Sequence, residues 1–270
     1  MIDLIDANEF ANFAHFRLLP EFPGDQVSWD SNIINQNSII FVKRGLLDMF
    51  FQHIQGSTKK HILITHLGDE PITKEEFDKK PPCVVKWFAQ NVAYDHPDLI
   101  PIPIGLENKT GICKEDLVGR RDWFVENLDK LIAKEKNTEE VYCNWEIIYN
   151  PEGRDNVLSQ LNTKYVWKNK GYTYSDYWNK ISEYKFIICP AGRLNSDTIR
   201  LWEALYIGCF PVAIKHPAHK EYTELPIIQV DNWSEVTPEL LQSSLNKTYN
   251  MEMLYMPYWI ERITNEFNKL

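Results

Sequence analysis

The sequence predicts an α/β protein built as two parallel-sheet domains. Three observations carry this reading. Short apolar runs rich in β-branched residues alternate with amphipathic helical segments, the pattern of βαβ units with right-handed crossovers. The alternation passes through the chain twice, once in each half. Hydrophobic residues make up 44% and charged residues 25% of the 270 residues, an ordinary globular balance that supports one large core or two of usual size.

In the first half, "SIIFVKR" (38–44), "HILITH" (61–66) and "CVVKWFA" (83–89) read as strands. "LIPIPIGL" (99–106) reads as an extended segment, which Pro101 and Pro103 confine to an edge or a loop because proline cannot donate to a ladder. "KEDLVGRRDWFVENLDKLIAKEKN" (114–137) reads as one or two helices, and the charged stretch from Lys134 to Glu140 as a linker.

The second half repeats the scheme. "EVYCNWEI" (140–147) is a strand, "GRDNVLSQLN" (153–162) a helix, "YVWK" (165–168) a short strand, and "SDYWNKISEY" (175–184) a helix capped by Ser175. Then come the strand "KFIIC", a helix over "SDTIRLWEALYI" starting at Asn195 or Ser196, and the strands "FPVAI" and "PIIQV" (226–230). The expected division is residues 1–136, residues 137–250, and a closing helix at 251–270 packed back across both. Each of the two domains is Rossmann-like, and they face one another across a cleft.

Composition narrows the function. The formal net charge is -9, whereas a nucleic-acid protein usually carries a basic footprint. The five cysteines are scattered with no CxxC pair, which reads as reduced thiols in a cytoplasmic compartment. The start "MIDLIDANEF" lacks the pattern of a signal peptide, and no apolar run reaches the length of a membrane span.

The most informative stretch is "CPAGRLNSDTIRLWEALYIGCFPV" (189–212). In open α/β sheets ligands bind outside the carboxyl ends of strands, which is where residues 189–198 fall. A helix N-terminus there offers unpaired N–H groups and the positive end of a dipole, suited to phosphate. Gly192 permits close backbone approach. Arg193 supplies a fork for an anion. Arg200 and Glu203 share a helix face, with Ser196 one turn earlier, and a carboxylate at Glu203 suits the hydroxyls of a ribose. The same residues also fit a plain capped helix with a surface ion pair and a C-cap glycine at Gly208.

"WEALYIGCFPV" resembles the E-A-x-x-x-G-x-x-P-V signature in the donor-binding domain of glycosyltransferases with two Rossmann domains, the GT-B fold. The longer "YKFIICPAGRLNSDTIRLWEALYIGCFPVAI" is similar to the core of exostosin-like glycosyltransferases, family 47. The resemblance covers about thirty residues in their strand–loop–helix–strand context. It implies a donor-binding second domain and an acceptor-side first domain. The donor would be a nucleotide-diphosphate sugar, expected to be a UDP-sugar, with Glu203 on the ribose. Arg193, Ser196, Asp197 and Thr198 would line the diphosphate, Asp197 turned away from it.

Other residues complete the expected site. "THLGDEP" puts His66 and Asp69 after a strand of the first domain, where either would serve as the base that takes a proton from an acceptor hydroxyl; Gly-Asp before Glu-Pro is also ordinary turn chemistry. Asn91 and His96 follow another strand, and Asp30 and Asp25 are reserve carboxylates on a loop. In the second domain, Asn144 stands at a strand end. Arg154 opens a helix, where a cation is unfavourable unless a phosphate is near. Lys168 lies where a nucleobase would be read. No HExxH or strand-end D-x-D is present, so the expected chemistry is metal-independent, with charge stabilised by the helix N-terminus and arginines.

The expected activity is transfer of a sugar to a hydroxyl of a glycan or glycoprotein acceptor, by an inverting mechanism. The rival readings are a nucleotide-sugar epimerase or nucleoside hydrolase on a similar fold, and an inactive nucleotide- or carbohydrate-binding module.

Overall fold

A computed structural model describes residues 3–19, 30–107, 120–168, 173–192, 194 and 196–270. The chain is α/β, with two five-stranded sheets whose neighbouring strands are all parallel. It divides into two compact units. Unit 1 holds Met1–Ile104, Pro217–Glu221 and Tyr255–Leu270; unit 2 holds Gly105–His216 and Tyr222–Leu254.

The sheet of unit 1 contains β1 (Phe16–Leu18), β2 (Ser38–Lys43), β3 (His61–His66), β4 (Val84–Ala89) and β5 (Leu99–Pro101), in that spatial order. The "SIIFVK" and "HILITH" runs are apolar almost without interruption because both sheet faces are covered: β3 is buried at all six positions. One face receives α2 (Leu47–Ile54), which buries Leu47, Phe50, Phe51 and Ile54 at helical spacing. These residues cluster with Ile40, Val42, Leu63 and Trp87 of the strands and with Phe77 of α3 (Lys74–Asp78). Strands taken in sequence order all advance in one direction, so right-handed crossovers leave their helices on one face. The other face must be covered from outside the progression. Helices α1 (Ala7–Phe13) and α10 (Met256–Phe267) do this, α10 lying against β3 and α1 against β2 and α10.

The sheet of unit 2 has the order β10-β9-β8-β6-β7. Its strands are β6 (Asn137–Cys143), β7 (Tyr165–Trp167), β8 (Tyr184–Ile188), β9 (Phe210–Ile214) and β10 (Ile228–Val230). The chain steps from β6 to β7, then passes back over β6 to β8 and continues the other way. That reversal moves the crossover helices from one face to the other. Val157 of α6 (Val157–Gln160) and Leu241 of α9 (Pro238–Leu245) pack with Val141, Ile188 and Val212 on one face. Helix α4 (Arg120–Ile132) packs on α7 (Tyr174–Ile181), and α8 (Ile199–Tyr206) buries Leu201, Trp202, Ala204, Leu205 and Tyr206.

Several boundaries differ from the sequence reading. The units part at Gly105 rather than at 137, because α4 belongs to unit 2, with Trp123 stacked on Trp178 of α7. The charged stretch expected to be a linker is a short turn after α4 and the start of β6: Lys136 Nζ donates to the carbonyls of Leu131 and Ile132, satisfying the last turn of α4. The C-terminal helix belongs to unit 1. Residues 153–162 form not one helix but the end of α5 (Pro151–Arg154) and all of α6, and Asn150 caps the first by accepting from the N–H of Gly153. A Cβ at Gly153 would stand 2.5 Å from that same Asn150 amide, so a side chain there would displace the cap. The cap of α7 is Thr173, not Ser175. Gly208 ends α8 with φ +79, as the C-cap reading expects. No described helix is long and apolar enough to cross a membrane.

Candidate functional site

The reversal between β6 and β8 opens a crevice at the carboxyl ends of those strands, the place where open α/β sheets take ligands. Two segments leave the sheet there. Cys189–Gly192 follows β8 and leads to α8, and Asn144–Tyr149 follows β6 and leads to α5. They are tied together from the β6 side. Arg154 Nε donates to the Ala191 carbonyl at 2.8 Å and its Nη1 to the Glu146 carbonyl at 2.8 Å. Asn150 Nδ2 donates to the Gly192 carbonyl at 2.9 Å. These bonds hold the carbonyls of Ala191 and Gly192 against the β6 side. Asn144 similarly joins the ends of β6 and β7, its amide donating to the Lys168 carbonyl at 2.8 Å. The Lys168 side chain is exposed.

Helix α8 begins at Ile199, three residues later than Ser196. The cause is a side-chain bond with the helix itself. Asp197 is fully buried, and its carboxylate accepts from the Trp202 indole N–H at 2.7 Å instead of capping the helix. Thr198 takes the N-cap position but its side chain makes no cap bond, and its Oγ1 is buried with no partner. The first N–H groups of α8 therefore lack the side-chain acceptor that usually satisfies them. Ser196 is half-buried beside them. Arg193 lies outside the described residues, as does Asp25.

Two cations approach the same place. Arg154 is only 7% exposed and Arg200 is half-buried, and neither forms an ion pair with a carboxylate of the described residues. Burial, and after it the charge of Arg200, pull the Arg154 guanidinium down to about 10. For Arg200, burial pulls downward but is outweighed by Tyr177, Cys189 and Glu203, so the net shift is upward. Arg200 Nε donates to the Tyr177 hydroxyl at 3.2 Å, and burial drives that phenol well above its ordinary range. Beneath them the Cys189 thiol is pushed up to about 12 by burial, an inert thiol and not a nucleophile. One turn along α8, Glu203 Oε1 accepts from the Trp178 indole N–H at 2.9 Å. So Gly192, Thr198, Arg200, Glu203, Arg154 and Asn144 are gathered at one strand edge of unit 2. Arg154 spends two donors on backbone carbonyls, which makes it a clamp as well as a local charge. Asn150 and Trp178 were not singled out from the sequence. An Asn preceding Pro and three residues ahead of Gly153 is the one signal that marks Asn150 as a cap.

In unit 1 the carboxyl ends of β3 and β4 bring Asp69 and Asn91 together. Asn91 is buried in a left-handed conformation, φ 58, and its Nδ2 donates to the Asp69 carbonyl at 2.6 Å. The Asp69 side chain itself is exposed. Neighbouring Leu67 is also left-handed, φ 63, and its N–H donates to His66 Nδ1 at 2.8 Å and to Gln90 Oε1 at 3.1 Å. His66 is 3% exposed, and its Nε2 lies 3.1 Å from the Pro103 carbonyl, which only a ring N–H satisfies. The ring is thus neutral with the proton on Nε2. Burial depresses its pKa to about 4. His66 cannot accept a proton without losing the Leu67 bond, so the base role expected for it is not supported by its geometry. His96 stands on the approach to β5, at that strand's amino end, where its Nδ1 accepts from the Asp98 N–H and its ring lies 4.4 Å from that of Phe77. It does not join Asp69. Asp30 caps the short helix Ser31–Ile34 by accepting from the Asn32 N–H, which employs its carboxylate locally.

Among the described residues, no three His, Cys, Asp or Glu side chains converge as a metal-binding group. No known family model matches the chain, and no curated protein is significantly similar to it.

Proposed function

We propose that the chain is a glycosyltransferase of the exostosin-like, GT-B type, which transfers a sugar from a nucleotide-diphosphate donor to a hydroxyl of a glycan. The observation that carries the reading is the pair of guanidiniums, Arg154 and Arg200, held without carboxylate partners at the strand reversal of unit 2, beside an uncapped helix N-terminus. Cations that feel one another, and that form no ion pair with a carboxylate of the described residues, favour an anion between them. A helix N-terminus presenting N–H groups at the same point favours phosphate over other anions. Glu203 on the same helix supplies the carboxylate that a ribose requires. Together these match a nucleoside diphosphate, and the expected donor is a UDP-sugar.

In this reading Arg200, the N–H groups at the start of α8 and the Thr198 hydroxyl stabilise the charge that develops on the leaving diphosphate. Arg154 holds the Ala191 carbonyl and adds its field. Asp69 of unit 1, exposed and anchored through its own backbone by Asn91, is the proposed base toward the acceptor hydroxyl. Calorimetry tests the binding half of the reading: UDP should bind and free uridine should bind far more weakly. Incubation with a labelled UDP-sugar tests the rest, since transfer needs an acceptor, epimerisation needs none, and a binding module turns over nothing. No binding of any nucleoside diphosphate would overturn the proposal.

A further inference from the structure

We propose that Trp178 on α7 is a positioning residue that fixes the Glu203 carboxylate for ribose recognition; this rests on the nucleotide reading above. The geometry has three parts. First, the indole cannot turn. It is 4% exposed, stacked on Trp123 at 5.5 Å with planes 16° apart, and met edge-on by Phe124 at 5.1 Å. Second, its single polar atom, Nε1, stands 2.9 Å from Glu203 Oε1. Third, the acceptor is a carboxylate. A buried indole N–H needs only some acceptor, and a backbone carbonyl would satisfy it without half-burying a charge.

A helical glutamate has three soft side-chain torsions and, left alone, spreads its carboxylate over many directions. A charge-assisted bond from a rigid donor removes that freedom, and the planar carboxylate then aims its second oxygen in a set direction. Tyr177, the residue before Trp178, holds Arg200 in the same manner through its hydroxyl. Two consecutive residues of α7 therefore orient the two polar side chains of α8. Preorganisation of this sort raises affinity by lowering the ordering that binding would otherwise require.

The test uses calorimetry on the full chain with UDP and with 2′,3′-dideoxy-UDP, which lacks the ribose hydroxyls. Glu203→Ala sets the scale by losing affinity for UDP only. Trp178→Phe keeps an aromatic ring and deletes the N–H. Replacing the Trp178 indole by benzothiophene, with sulfur in place of N–H, preserves the volume should the Phe variant fold poorly. Both should weaken UDP binding about three- to tenfold, as expected for a misdirected charged hydrogen bond, and leave dideoxy-UDP unchanged within about twofold. A merely structural role would lower both affinities alike. Equal losses for the two ligands, or no loss, with Glu203→Ala still selective, would overturn the positioning role alone. If the native chain bound no UDP, or Glu203→Ala lost nothing, the nucleotide reading would fall and this inference with it.

Discussion

The two sheets have equal strand numbers and a uniformly parallel sense, yet they offer a ligand different things. In unit 1 the strands lie in sequence order and the progression never reverses. In unit 2 it reverses between β6 and β8, and the connections after those strands lead in opposite directions along the sheet. Only the second sheet has a crevice made by topology, and there the two unpaired guanidiniums and the uncapped helix lie. Unit 1 instead builds its carboxyl edge from local strain: two non-glycine residues, Leu67 and Asn91, sit in the left-handed region on adjacent loops. Each such residue costs on the order of 1 kcal/mol and persists only where its surroundings enforce it. Here the His66, Gln90 and Asn91 bonds do so. A crevice from topology suits donor capture. A rigid, strained edge suits the placing of one side chain, Asp69.

The largest effect that could break this contrast is on turnover. Asp69→Asn should lower kcat by ~10²–10⁴-fold, the usual loss of a general base, while donor affinity stays fixed. Steady-state kinetics beside calorimetry checks it. Normal turnover would place the base elsewhere and leave unit 1 without its proposed role.

Next is stability against pH. His66 is depressed in the folded chain to about 4 from its ordinary value near 6.5. The unfolded chain takes up a proton that the folded one refuses, so stability falls as pH drops from about 6.5 to 4. The full effect is about 3 kcal/mol. His61 and His216, also lowered by burial, act in the same direction. Denaturant melts between pH 7 and 4.5 should show this slope, and His66→Asn should flatten it. An unchanged slope in the variant would mean that the ring is not locked as described.

A smaller effect separates phosphate from nucleoside. Arg200→Ala should cost about 1.5–3 kcal/mol of UDP affinity, the range for a charged hydrogen bond, and little for uridine. Equal losses would indicate damage to the fold instead. Smaller still is Thr198→Val. The hydroxyl makes no bond among the described residues, so its replacement by methyl should change stability by less than about 0.5 kcal/mol. Affinity for the diphosphate should nevertheless fall. A marked loss of stability would show the hydroxyl to be structural.

What the sequence made legible follows the same division. Strands β2 and β3 are readable because double burial writes itself as long runs of β-branched and aromatic residues, and β4 nearly so, broken only at Lys86. The β8–α8–β9 unit was readable through its glycine, its proline and its helical stripe. Features set by one particular side-chain partner were not. Ser196–Asp197 has the form of a helix cap, but the Trp202 indole draws Asp197 inward and delays the helix. Residues 134–140 have the composition of a linker, but Lys136 closes α4 and β6 starts at once. His66 has the position of a base, but a carbonyl 37 residues away fixes its proton. Arg154 reads as an awkward charge at a helix start, but α5 begins at Pro151 and Arg154 is its last residue, where a cation suits the dipole; its hold on residues 146 and 191 depends on a loop no local pattern specifies.

The central claim, that the strand reversal of unit 2 is the nucleotide site, is tested most directly by amide hydrogen exchange with and without saturating UDP. The account predicts added protection concentrated in residues 144–154 and 189–203, with the strands of unit 1 unchanged. Protection confined to the loops after β3 and β4, or none at all with UDP present, would contradict it.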